Sequence, residues 1–165
     1  MLPASGVQNP PIYGASGVRN PQIYRAFGID IEAATLNNTE YRKILFTTDH
    51  SQLILMTISP GGDIDREVHP NSDQFIRFES GTVEVAIYDS LTAENPVQVL
   101  TGKDGFSIVI PAGRYHYVKN IGDDDLKLYA LYMPPFHPAP RGEAVTREEI
   151  AELEGKSISY LAISK

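Results

Sequence analysis

Between residues 41 and 133 the apolar residues come in short runs, four to eight long, and many of the runs alternate apolar with polar positions. Segments 41–46, 52–58, 74–78, 82–88, 97–100, 106–110, 115–120 and 126–133 are rich in β-branched and aromatic residues, which predicts strands. Turn residues separate them: Thr48-Asp49-His50-Ser51, Pro60-Gly61-Gly62, Ser80-Gly81, Gly102-Lys103-Asp104-Gly105, Pro111-Ala112-Gly113 and Gly122-Asp123-Asp124-Asp125. About eight short strands at regular spacing predict an all-β sandwich or barrel, because an antiparallel sheet of that size doubles or closes to protect its edges.

The flanks break this pattern. Residues 1–40 read as an arm. Its first part carries an imperfect duplication, Ala4-Ser5-Gly6-Val7-Gln8-Asn9-Pro10-Pro11-Ile12-Tyr13 and Ala15-Ser16-Gly17-Val18-Arg19-Asn20-Pro21-Gln22-Ile23-Tyr24. Its Gly, Pro and Asn content rules out a regular helix and predicts a chain that is extended or disordered in isolation. Residues 41–138 form the barrel. Pro134-Pro135-Phe136-His137-Pro138 cannot continue a central strand. In the tail, residues 139–165, Thr146-Arg147-Glu148-Glu149 is a capping box that opens a short helix ending near Gly155.

Composition narrows the chemistry. Its 165 residues, 42% hydrophobic, suit one domain with one core. There is no cysteine, so any metal takes nitrogen and oxygen ligands. A formal charge of −7 disfavours nucleic acid as a partner. The first residues have neither a basic n-region nor an apolar h-region, and no apolar run is long enough to cross a bilayer, so the expectation is a cytoplasmic protein without membrane partners.

Two stretches carry chemistry. Gly105-Phe106-Ser107-Ile108-Val109-Ile110-Pro111-Ala112-Gly113-Arg114-Tyr115-His116-Tyr117-Val118-Lys119-Asn120 matches G-x5-P-x-G-x2-H-x3-N, the second signature of the cupin superfamily, at every specified position. Gly61 to Gly81 resembles the first signature, G-x5-H-x-H-x3-4-E-x6-G, with Glu67 in place of the first His, His69 as the second, and Gln74 in place of the Glu. The run Glu67-Val68-His69-Pro70-Asn71-Ser72-Asp73-Gln74 resembles the Glu-x-His-x4-Gln variant of small single-domain cupins described as mannose-6-phosphate isomerase-like.

The resemblance implies a double-stranded β-helix, or jelly-roll, barrel and one divalent metal ion (Fe, Mn, Ni or Zn) held by Glu67, His69, Gln74 and His116. Strand alternation puts Glu67 and His69 on one face, with Gln74, Ile76, Phe78, His116 and Val118 also inward and Asp73 outward. Tyr115, Tyr117, Tyr129 and Tyr132 are rim candidates. Glu67 and Tyr117 are the candidate proton-moving groups. Arg66, Arg77 and Arg114 are the cations nearest the motifs, and His50 and His137 are expected at the surface.

Three functions follow as expectations. The first is isomerisation of a sugar or sugar phosphate. The second is an Fe(II)-dependent dioxygenase, suggested by two imidazoles and one carboxylate. The third is a non-catalytic, metal-stabilised barrel that binds a ligand or assembles. The resemblance also implies a homodimer, and the paired Ile-Tyr motifs of the arm suit exchange between subunits. Deleting residues 1–26 is therefore expected to turn a dimer into a monomer by light scattering. An unchanged dimer mass would remove the arm from the interface.

Overall fold

The computed structural model describes residue 26 and residues 28–137. The duplicated segment and the capping box of the tail lie outside the described residues. Nine strands follow one short helix: α1 (Ile31–Leu36), β1 (Arg42–Thr47), β2 (Gln52–Ile58), β3 (Asp63–Glu67), β4 (Asp73–Ser80), β5 (Val83–Tyr88), β6 (Gln98–Gly102), β7 (Ser107–Ile110), β8 (Tyr115–Asn120) and β9 (Leu126–Met133). They form two antiparallel sheets, β1-β2-β9-β4-β7 and β3-β8-β5-β6. The all-β double-stranded β-helix expected from the sequence is the fold observed.

Register arranges the interior in rows. Across the larger sheet, Gln52, Tyr132, Gln74 and Ile110 are successive partners, followed by Ile54, Ala130, Ile76 and Ile108, then Met56, Leu128 and Phe78, then Ile58 and Leu126. The smaller sheet presents Glu67, His116 and Ile87, then Ile64, Val118 and Val85. One end of the barrel is therefore polar and the rest apolar. Ile54, Ile76, Phe78, Val85, Val118 and Leu128 are fully buried, and each such side chain contributes about 1.5–3 kcal/mol.

Two elements were not expected. β3 is the charged run Asp63-Ile64-Asp65-Arg66-Glu67, which has little intrinsic β preference. Its strand form comes from pairing with β8 and from tertiary contacts. The Tyr117 hydroxyl donates to Asp63 Oδ2 at 2.7 Å, and Arg66 donates to the Leu91 and Ala93 carbonyls while lying over the Tyr88 ring. The other is α1, within the segment expected to be extended. Asp30 caps it, accepting from Ala33 N at 3.0 Å. It packs on β2, β4 and β9, where Asn38 bonds Thr57 and Lys127 donates to the Asn38 carbonyl.

At the far end of the barrel Asn120 ties the end of β2 to the turn after β8. Its amide donates to the Ile58 carbonyl at 2.9 Å and the Asp124 carbonyl at 2.8 Å, and its oxygen accepts from Gly122 N at 3.0 Å. This assigns the last residue of the second motif to the scaffold.

Gly81 turns β4 into β5 at φ +87°, and a Cβ there would lie 2.8 Å from Leu126 Cα. Both the conformation and the space require glycine. Gly81→Ala is expected to cost about 2 kcal/mol or more in urea unfolding. An unchanged midpoint would contradict this account of the turn.

Candidate metal centre

Glu67 ends β3 opposite His116, the second residue of β8. A regular strand would not face Ile64 and Glu67 inward together, since three positions separate them. A bulge between them does so: three steps of β3 span two of β8. His69 follows in the loop. Its carbonyl accepts from Gly113 N at 2.9 Å, which couples this loop to the Pro111-Ala112-Gly113 turn before His116. Asp73 faces outward as expected and braces the same turn, accepting from Ala112 N at 2.8 Å.

The three side chains converge. Glu67 Oε1 lies 3.2 Å from His69 Nε2 and 3.5 Å from His116 Nε2, and the imidazole centroids are 5.1 Å apart. One ligand atom from each lies within 4.8 Å of the others, and all three residues are buried. His116 Nδ1 is 3.0 Å from the Arg114 carbonyl. A carbonyl only accepts, so Nδ1 carries a proton and Nε2 is the nitrogen turned to the centre. Burial pushes the Glu67 carboxyl up, but the His116 and His69 imidazoles facing it outweigh that, and the group is held well below the usual carboxylate range.

Gln74 sits in the same interior row as Tyr132, and its Nε2 donates to the Tyr132 hydroxyl at 2.7 Å. Its Oε1 is buried without a hydrogen-bond partner, as is His116 Nε2, and His69 has none at either ring nitrogen. Acceptor atoms therefore gather here with too few donors among the described residues. Buried polar atoms in that state carry a desolvation cost of about 1–3 kcal/mol each. A divalent cation removes it, so the donor set fits a metal with nitrogen and oxygen preference.

Three expectations change. Tyr117 lies between His116 and Val118, which both face inward, so alternation turns it to the outer face, where it bonds Asp63. It does not reach the centre. The interior tyrosine is Tyr132, 1% exposed rather than at the rim. His137 is buried, not superficial: Gln52 holds its backbone with two hydrogen bonds, and Arg42 Nη1 lies 3.2 Å from its Nδ1. Its ring packs edge-on against His69 and Tyr132. His50 is exposed as expected.

The remaining candidates point elsewhere. Tyr115 shares the outer face with Tyr117, and Tyr129 meets Phe75 outside the other sheet. Arg77 pairs with Glu79 at 2.9 Å and Arg114 with Asp89 at 3.3 Å. No helix among the described residues is long and apolar enough to cross a membrane.

Comparison with known proteins places this geometry. Residues 54–132 match the family described as Cupin domain. The chain is 42% identical over 111 residues to an uncharacterized protein of Acanthamoeba polyphaga mimivirus, covering 67% of this chain and 66% of that protein. It is also 42% identical over 113 residues to the uncharacterized protein YrkC of Bacillus subtilis (strain 168), covering 67% of this chain and 58% of that protein. The chain thus spans less than two thirds of the length of these two relatives. The crystal structure of BH2720 from Bacillus halodurans superposes with a TM-score of 0.71 at 40% identity, over 78% of this chain and 95% of that one.

Protein purified without chelator or histidine tag is expected to carry about one divalent ion per chain. His69→Ala and His116→Ala should lose most of it. Equal metal content in all three proteins, by elemental analysis, would show that these residues do not hold the ion.

Proposed function

The chain belongs to the cupin superfamily, and on that premise we propose that it uses one divalent ion, held by Glu67, His69 and His116 with Gln74 as a fourth oxygen donor, to transform a small oxygenated molecule. The observation that carries this reading is the convergence of buried acceptor atoms in one interior layer. When bound, the ion would supply Lewis-acid polarisation of a carbonyl or hydroxyl oxygen.

The protein's own groups supply the rest. Glu67 stays anionic and balances charge. The His116 ring is oriented through the Arg114 carbonyl. Gln74 Nε2 donates to the Tyr132 oxygen, so the phenolic proton is directed to another acceptor, which makes Tyr132 the interior proton donor in place of Tyr117. Burial of all three ligating residues keeps bulk water from competing for these contacts. Isomerisation of a sugar or sugar phosphate, as in the mannose-6-phosphate isomerase-like group that the first motif resembles, is the leading version.

A second version, oxygen-dependent oxidation by an Fe(II) protein, is favoured by the two-imidazole, one-carboxylate donor set. Its chemistry differs by one measurable reactant. A homodimer remains part of the proposal on the family resemblance, and a cytoplasmic location on the sequence reading.

The Fe(II)- and Mn(II)-loaded protein should be screened against aldoses, ketoses and their phosphates with and without oxygen. Metal-dependent product without oxygen uptake supports isomerisation, and stoichiometric uptake supports oxidation. In either case Tyr132→Phe should lower turnover by about 100-fold while Tyr117→Phe stays within about twofold. Absence of any metal-dependent turnover would leave the non-catalytic barrel standing.

A further inference from the structure

After β9 the chain turns back over the polar end of the barrel, and residues 134–137 are fastened on both sides of Phe136. On one side the Ser72 hydroxyl donates to the Pro134 carbonyl. On the other, Gln52 Nε2 donates to the His137 carbonyl at 2.9 Å, His137 N donates to Gln52 Oε1 at 3.1 Å, and Arg42 reaches the His137 ring. Between these anchors the Phe136 ring lies 4.2 Å, centroid to centroid, from the ring of His69. Phe136 is 40% exposed and His69 only 2%. One aromatic ring therefore faces solvent on one side and a proposed metal ligand on the other.

We infer that Phe136 is a specificity-determining residue that limits what reaches the metal. This rests on the metal reading above. Because its neighbours are pinned, the ring opens a path by rotating its own side chain rather than by moving the segment, and the opening is small. The surfaces beside it are the Tyr132 ring, stacked at 6.5 Å, and the His137 ring at 5.1 Å. Arg42, the cation nearby, is already directed to His137. Such a passage favours a compact, uncharged or singly charged molecule with an oxygen donor at its tip, and so, within the proposed function, a free sugar over its phosphate. It disfavours bulky polyanions.

The test uses Co(II)-loaded full-length protein and two probes, azide as the small ligand and benzohydroxamate as the large one, followed by the cobalt visible spectrum in stopped flow. In Phe136→Ala, benzohydroxamate is expected to bind at least about tenfold faster than in wild type, with azide rates within about twofold. Phe136→Leu, which keeps an apolar cover, should fall between and guards against misfolding of the alanine variant. Equal benzohydroxamate rates in the three proteins would overturn the gate. Wild type that takes up no cobalt would instead overturn the metal reading, so the two failures are distinguishable.

Discussion

The site depends on hydrogen-bond register. Side chains alternate across a strand with a period of two, so a one-residue slip in any of the ladders β3–β8, β4–β9 or β2–β9 would exchange interior and exterior sets. Gln52, Tyr132 and Gln74 share a row only because β2, β9 and β4 are paired as they are. Glu67 faces His116 only because β3 gains a residue in its bulge. The apolar rows beneath hold that register, since any slip would bring Ile54, Ile76, Phe78 and Leu128 into water at about 1.5–3 kcal/mol each. The chemistry at one end of the barrel thus rests on packing at the other.

That dependence explains what the sequence revealed. Alternation from the two motifs placed Glu67, His69, Gln74 and His116 on the interior side, with Ile76, Phe78 and Val118 below them, and the structure buries all of them and brings Glu67, His69 and His116 together. The Pro-Ala-Gly turn before His116 was legible because proline and glycine restrict backbone geometry directly. Tyr117 was misassigned although the signal was present, since it follows an inward histidine by one residue. Tyr132 was readable in the same way, being in phase with Leu126, Leu128 and Ala130.

The rest was not local. β3 carries four charged residues in five, and its pairing comes from β8 about fifty residues later. Helix α1 has only six residues, too few for an apolar period to stand out, although Asp30 marks its start. His137 lies among prolines, which reads as a surface loop. Its burial depends on Gln52 and Arg42, 85 and 95 positions away, and no pattern around residue 137 reports on them.

The exchange of residue types at the centre has a physical logic of its own. Compared with the usual motif, a carboxylate moves to position 67 and an amide takes position 74, so the formal ligand charge is unchanged. Tyr132 shows why the amide suits that place. A carboxylate at 74 would accept a hydrogen bond from the phenolic hydroxyl, and the tyrosine would compete with the ion for the carboxylate oxygens. An amide instead gives its N–H to the tyrosine and leaves its buried carbonyl oxygen without a hydrogen-bond partner. The neutral oxygen is a weaker donor than the carboxylate it replaces, so on the metal reading this is the coordination position from which an incoming oxygen most readily displaces the protein. The tyrosine is left with its own proton beside that position. One hydrogen bond therefore fixes both the ligand that can yield and the group that can give a proton when it does.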